Sequence, residues 1–149
     1  MAEIGFYHLT RTAADQALPA LLGRTLAAGQ RAAVLCAAER LPALDTALWL
    51  APEPDWLPHA PAGGADDALQ PILLSAAPWP GPPPNGAAFL FLLDSQNPPL
   101  DGFTRVFDLF DGGDDAAVTA ARERWKAAKS AGHSLTYWQQ GPKGWEKKA

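Results

Sequence analysis

The chain has 149 residues, 48% of them hydrophobic, and a net charge of −4. This length fits one domain, and the composition predicts a folded chain rather than a disordered one. No apolar stretch approaches the roughly eighteen residues that a membrane-spanning helix needs, and the N-terminal residues lack the apolar run of a signal peptide. Cys36 is the only cysteine, which excludes an internal disulfide and suits a reducing compartment. We therefore expect a cytoplasmic protein with no membrane partner.

Charge is unevenly distributed along the chain. Residues 1–121 contain five Lys or Arg and fourteen Asp or Glu, whereas residues 122–149 contain seven Lys or Arg and two Glu. A basic end on an acidic chain suggests an anionic partner for that end, although a solvated basic tail explains the pattern equally well. The overall negative charge argues against broad nucleic-acid binding, and we expect no direct sequence-specific contact with nucleic acid.

The hydrophobic pattern predicts an alternation of strands and helices along the chain. Strands are predicted at 4–9, 31–37, 71–75, 87–93, 103–110 and 133–139, and helices at 15–28, 42–50 and 114–131. The first strand, helix and strand form a βαβ unit, which is almost always parallel. Residues 51–86 are rich in Pro and Gly and predict a long irregular connection around the strand at 71–75, and residues 140–149 form a tail. We expect a single α/β domain over residues 1–149, with a Rossmann-like, mostly parallel twisted sheet and helices on both faces.

A sheet of this kind invites a search for a phosphate-binding loop. The turn after the first strand, residues 8–15, contains no glycine, and neither a G-x-G-x-x-G nor a G-x-x-x-x-G-K motif is present. Residues 112–113 are a glycine pair, but four acidic side chains surround it and would repel phosphate. These residues, the aspartate cluster, are Asp108, Asp111, Asp114 and Asp115. The sequence therefore predicts no nucleotide-binding loop and no cofactor.

Other catalytic arrangements are also missing from the sequence. His8, His59 and His133 have no matched Cys or Glu at metal-ligand spacing. Cys36 lies within an apolar strand, where a buried inert thiol is more common than a nucleophile. The aspartate cluster could hold Mg²⁺, but helix capping and a solvated acidic loop explain it as well. We expect no enzymatic activity and no metal site.

Three short motifs stand out along the chain. They are FYHL at residues 6–9, LDTALW at 44–49 followed by WLPH at 56–59, and ARERWK at 121–126. In this order and spacing, over roughly residues 4–138, they resemble the chi subunit family of the DNA polymerase III clamp-loader assembly. Residues 140–149 have no clear counterpart in that family.

The resemblance implies a fold and a role. Chi subunits have a Rossmann-like fold without a nucleotide site, and they are non-catalytic accessory subunits of the replicase. They link the clamp loader to the single-stranded DNA-binding protein by holding its acidic C-terminal tail, which ends in Pro-Phe, and some also pair with a psi subunit. Two alternatives remain from the residues alone. One is a Rossmann-like module for a small anionic ligand, or a scaffold outside replication, and the other is a metal-dependent enzyme that uses the aspartate cluster.

The last predicted helix carries the first candidate surface. The basic stripe consists of Arg122, Trp125, Lys126 and Lys129, at i, i+3, i+4 and i+7 spacing. Cations beside an aromatic ring suit a peptide with carboxylates and a terminal Phe, which the resemblance implies is the tail of the single-stranded DNA-binding protein. Relatives often carry a further basic residue where this chain has Val118. The alternative leaves the cations solvated and buries a different face: Val118, Ala121, Trp125 and Ala128.

Trp49 and Trp56 form the second candidate surface. Tryptophan is enriched at interface hot spots, and a helix end that leads into a Pro-rich segment can present it to a partner. The resemblance implies contact here with a psi subunit or another clamp-loader component. The alternative is that either ring covers the core beneath the long connection.

Overall fold

The computed structural model describes residues 2–52 and 57–149. These residues form eight strands and three α-helices, with single 3-10 turns at Ala38–Arg40 and Asp67–Leu69. In chain order the elements are β1 (Glu3–Leu9), α1 (Ala14–Ala27), β2 (Ala32–Leu35), α2 (Leu41–Leu50), β3 (His59–Pro61), β4 (Ile72–Ser75), β5 (Phe89–Leu92), β6 (Arg105–Asp111), α3 (Asp115–Ser130), β7 (Ser134–Gly141) and β8 (Gly144–Lys147). The strands and helices expected from the hydrophobic pattern are all present, with ends shifted by a few residues.

The eight strands belong to one sheet, in the order β3-β4-β2-β5-β6-β1-β7-β8. The strand pairs are parallel except for the last, β7 with β8. Strands β2 and β4 are buried along their whole length, which is why they are continuous apolar runs rather than alternating ones. The structure confirms a mixed α/β protein with a mostly parallel sheet, and its likeness to the Rossmann fold stays a prediction.

Helices cover both faces of the sheet. Leu18, Leu22 and Leu44 bring α1 and α2 onto one face, where they join the larger hydrophobic cluster. On the other face, Ala121 and Ala128 of α3 join the second cluster. Because these two residues have only a methyl group, α3 can lie close to the sheet.

A buried ion pair anchors α3 to the sheet. Arg124 Nε and Nη2 donate to the two carboxylate oxygens of Asp108 on β6, at 2.6 and 2.9 Å. The exposed fractions of the two side chains are 8% and 4%. Burial raises the pKa of Asp108, and the hydrogen bonds from Arg124 oppose that rise. At its start, α3 is capped by Asp114, whose side chain accepts from the N–H groups of Ala116 and Ala117.

Two predictions about irregular segments were wrong. The connection at residues 51–86 contains the three-residue strand β3 in addition to β4, and the expected tail forms the hairpin strand β8. Trp145 of β8 packs edge-on against Tyr7, at 5.0 Å between ring centroids. Such short strands depend on pairing with a neighbour, so their local sequences carry too little periodicity to reveal them.

Candidate functional site

A pocket of about 280 Å³ lies between α3 and the strands β1, β6 and β7. We call it the α3 pocket, and its lining is Phe6, Phe110, Val118, Ala121, Arg122, Trp125, Lys126 and Tyr137. The structure therefore brings Arg122, Trp125 and Lys126 to one cavity. Lys129, the fourth residue of the basic stripe, is exposed on the same helix outside the lining.

The walls of the α3 pocket are aromatic. The ring of Trp125 meets Phe6 edge-on at 5.3 Å and Tyr137 at 6.0 Å between centroids. Phe110 meets Tyr137 at 6.2 Å. Trp125 is half-buried, so it packs against the second core cluster and also lines the cavity. Ala121 is buried beneath the pocket and the cations are exposed, as the alternative description of this helix face expects. Binding of a peptide by the basic stripe stays a prediction.

The rim of the pocket is positively charged. Arg122 and Lys126 are both exposed, and Lys126 Nζ lies 3.6 Å from the carboxylate of the equally exposed Glu123. Such a solvated ion pair contributes little and is readily exchanged for another carboxylate. Val118 adds an apolar side chain one turn before Arg122. An apolar cavity with cations at its rim suits a ligand that joins an aromatic group to carboxylates.

Behind the pocket, Tyr137 is held by His8. The Tyr137 hydroxyl lies 2.6 Å from His8 Nδ1, and the His8 ring stacks on Phe110 with 5.0 Å between centroids. The motif analysis used FYHL only as a family signature and missed that Phe6 is a pocket wall and that His8 supports one. Parallel pairing sets Phe6 beside Tyr137 and His8 beside Phe110, a register that the sequence alone does not specify.

The second candidate surface lies at the end of α2. Trp49 is 55% exposed, and its ring lies 4.1 Å from the ring of His59. His59 itself is buried, with Nδ1 2.6 Å from the carbonyl oxygen of Leu57 and Nε2 3.0 Å from Asp45 Oδ1. The adjacent Leu50, which sequence reasoning did not single out, is 75% exposed. Trp56, the other predicted residue, lies outside the described residues.

A larger cavity of about 640 Å³ opens at the carboxyl ends of β1 and β6. Its charged lining is Arg11, Arg40, Asp94, Asp111 and Asp114. The Arg40 guanidinium is already paired with Asp15 and Asp94, at 2.8 Å in each case. The balance of charge in this cavity is therefore unfavourable for a strongly anionic ligand.

The turn between β1 and α1 uses its own hydrogen-bond donors internally. The backbone N–H groups of Thr10, Arg11 and Thr12 donate to Gln140 Oε1, at 2.9, 2.8 and 3.1 Å. In dinucleotide-binding folds, the first strand-to-helix turn supplies the N–H groups that hold phosphate. Here the side chain of β7 occupies those donors, which agrees with the missing glycine motif.

The members of the aspartate cluster have separate structural roles. Asp108 lies in β6, within the strand predicted at 103–110, and it is buried against Arg124, so the solvated-loop explanation of the cluster does not apply to it. Asp114 caps α3, and Asp111 Oδ1 accepts from the Gly113 N–H at 2.8 Å. Within residues 2–52 and 57–149, no group of three or more His, Cys, Asp or Glu is arranged to hold a metal ion.

Cys36 is buried, as predicted, and burial raises the pKa of its thiol to about 11.

In the part of the chain that the structure describes, none of the helices has the length and apolar character to cross a membrane.

The fold and site define an α/β protein with one mostly parallel sheet and a basic, aromatic-walled pocket on its last helix. Over residues 1–136 the chain matches the family described as DNA polymerase III chi subunit, HolC. The chain belongs to the DNA polymerase III chi subunit family, which supports an accessory role in DNA replication within that polymerase complex. No curated protein matches it. Residues 137–149, which include Tyr137 and β8, lie beyond the family match.

Proposed function

We propose that this chain links the clamp loader to the single-stranded DNA-binding protein by holding that protein's acidic C-terminal tail in the α3 pocket. One observation supports the proposal most strongly: two exposed cations, Arg122 and Lys126, line a cavity whose walls include four aromatic rings. A tail that ends in Pro-Phe after several aspartates offers the complementary groups. The chain itself would be non-catalytic. In the aspartate cluster, Asp108 pairs with Arg124, Asp114 caps α3 and Asp111 accepts from the Gly113 N–H, which supports structural roles for these three.

Each part of the tail has a counterpart in the pocket. The terminal Phe ring would enter between Phe6, Trp125 and Tyr137, where edge-to-face contacts are already the prevailing geometry. Its α-carboxylate would be within reach of the Arg122 guanidinium, which can bind a carboxylate in bidentate fashion. The preceding aspartates of the tail would replace Glu123 as the ion-pair partner of Lys126. Micromolar affinity, roughly −8 kcal/mol, is expected of a small groove that orders a flexible tail.

Fluorescence anisotropy of a labelled peptide ending in Asp-Asp-x-Pro-Phe tests the proposal. Arg122→Ala or Lys126→Ala should weaken binding about tenfold or more while the melting temperature stays nearly unchanged, since exposed charges add little to stability. Lys129→Ala is the matched control: it removes the same charge from the same helix outside the pocket, and its effect should be within about threefold. Deleting the terminal Phe should weaken binding as much as removing the charges does.

The native partner provides the decisive form of the same test. The single-stranded DNA-binding protein of the organism should be retained by the immobilised chain, and the same protein without its last several residues should not. Binding should also fall as salt rises from about 50 to about 300 mM, because the charges are at the surface and are screened. If the Arg122 and Lys126 variants bind the tail as wild type does, the stripe is only a solvated face.

We also propose that the second candidate surface, around Trp49 at the end of α2, contacts a clamp-loader component, such as a psi subunit. Trp49 and Leu50 are large apolar side chains that remain more than half exposed at one helix end, and such adjacent exposure favours an interface. This surface lies on α2, whereas the tail pocket lies on α3, and these helices cover opposite faces of the sheet. The chain could therefore hold two partners at once.

A small-ligand module is the second candidate function, favoured by the cavity at the carboxyl ends of β1 and β6. Ligands of open α/β sheets bind in this position. Its mixed charge and the paired Arg40 point to a neutral or zwitterionic ligand rather than a nucleotide. Saturable binding of such a compound, lost in Arg11→Ala and retained in Arg122→Ala, would support this function over tail binding.

A further inference from the structure

The imidazole of His8 lies directly behind the wall of the α3 pocket. Its Nδ1 atom contacts the hydroxyl of Tyr137, and its ring is stacked on Phe110, so it touches two pocket residues at once. On its other edge, the backbone of Gly112 lies so close to Nε2 that a side chain could not be added at Gly112 without moving the ring. The imidazole is thus confined between three elements, and it determines where the Tyr137 hydroxyl can lie.

Arg122 on α3 is the charged group that acts on the titration of His8. Burial, and next the charge of Arg122, lower the pKa of His8. From β7, Tyr137 is the titratable neighbour, and burial raises the pKa of its hydroxyl, so it is neutral near pH 7. The strand β6 contributes the Phe110 ring, and Asp111 at its end is turned to the N–H of Gly113. Arg122 is therefore the charge that disfavours the imidazolium form.

We propose that His8 is a proton-linked positioning residue of the α3 pocket: it fixes Tyr137 as a pocket wall, and it takes up a proton when an anionic chain end binds at Arg122. The inference rests on the proposed function, because it assigns a regulatory property to the same pocket. The Tyr137 hydroxyl donates to a neutral Nδ1 and accepts from a protonated one, so the wall stays in place in both states.

The direction of the pH effect follows from linkage. A carboxylate at Arg122 offsets the guanidinium charge, which raises the pKa of His8. Any burial that the peptide adds lowers this pKa, so the inference requires the charge effect to be the larger of the two. Affinity must then rise as the pH falls through the pKa of His8 in the complex toward its pKa in the free protein, which lies below the ordinary histidine value of 6.5. At higher pH, His8 is neutral in both states, and its proton plays no part. The carboxyl groups of the ligand titrate near pH 4, below this range.

Calorimetric titration of the full chain with a peptide ending in Asp-Asp-x-Pro-Phe tests the inference. Between about pH 8 and about pH 5.5, the wild-type Kd should fall about three- to tenfold. At about pH 6, the binding heat in two buffers of different ionisation enthalpy should differ in the sense of proton uptake. His8→Asn keeps a hydrogen-bonding atom near the Nδ1 position without a titratable ring. It should bind the peptide more weakly than wild type at pH 8, because the ring that stacks on Phe110 is lost, and it should lose both the pH dependence and the proton uptake.

Two variants separate the positioning effect from the proton effect. Tyr137→Phe removes the hydroxyl and leaves His8 able to titrate, so it should bind about two- to fivefold more weakly at pH 8 yet keep the pH dependence. His133→Gln is the matched control, because His133 accepts a hydrogen bond from the Ala2 N–H and does not line the pocket. It should leave the pH profile unchanged.

The outcomes distinguish this inference from the proposed function. Tail binding at pH 8 with no change in affinity and no proton uptake at lower pH would overturn the role of His8 and leave tail binding intact. Full pH dependence in His8→Asn would overturn it as well. Should His8→Asn fail to fold, an NMR titration of the wild-type His8 ring decides, since its pKa must rise on saturation with peptide. Absence of tail binding at every pH would overturn both.

Discussion

Replacing Arg124 by Leu should destabilise the protein strongly, because it leaves a buried carboxylate without its partner. The side chains of Arg124 and Asp108 are 8% and 4% exposed, and two hydrogen bonds join them. Removing one member of such a pair costs about 3–5 kcal/mol, since the remaining charge is neither solvated nor paired. Because α3 lines the α3 pocket, the variant should also weaken the tail-peptide binding that we propose for this pocket.

The double variant Arg124→Leu with Asp108→Leu tests the physical reason. It removes both charges and fills the space with apolar groups, so it should recover most of the lost stability. Urea denaturation followed by circular dichroism measures wild type, the single variant and the double variant under one condition. A single variant within about 1 kcal/mol of wild type would refute the argument, as would a double variant no more stable than the single variant.

The pH dependence of the single variant gives an independent check. Without Arg124, the burial that raises the pKa of Asp108 is no longer opposed by its hydrogen bonds. The folded state then holds a proton that the unfolded state releases, so stability should fall as the pH rises above the ordinary aspartate value of about 4. The Arg124→Leu variant should therefore be least destabilised near pH 4, and a constant difference from wild type over pH 4–8 would contradict this.

Three further predictions concern the rest of the molecule. Trp49→Ala, alone or with Trp56→Ala, should stay folded by circular dichroism and lose a clamp-loader partner in a pull-down. A loss of about 3 kcal/mol or more would instead assign the rings to the core. Cys36 should react with a thiol reagent at pH 8 only on unfolding, because it is buried and its pKa of about 11 keeps the thiol protonated. Rapid labelling of the native protein would contradict its burial. Titration with ATP, GTP or NAD should give no saturable heat, because Gln140 accepts the hydrogen bonds of the backbone N–H groups that a phosphate would need. Micromolar binding would overturn this expectation.

The sequence determined the elements that are defined by their own periodicity. Apolar runs such as those of β4 and β5 predict buried strands, since only strands covered on both faces lack polar alternation. The spacing of Arg122, Trp125 and Lys126 predicts one helix face. The sequence also indicated the family, because its short motifs occur in the order and spacing that the family shows.

Only the tertiary structure decided which residues meet. Phe6, Phe110 and Tyr137 belong to three strands far apart in sequence, and they form one wall because parallel pairing fixes their register. The same pairing brings His8 against Tyr137. Strand β8 is stabilised by antiparallel pairing with β7, because its four residues have too little apolar character to be recognised alone. The sequence places Asp108 in a strand, but only the packing of α3 on that strand shows that it is buried and paired with Arg124. In each case the deciding energy comes from contacts between distant segments, and local composition does not contain that information.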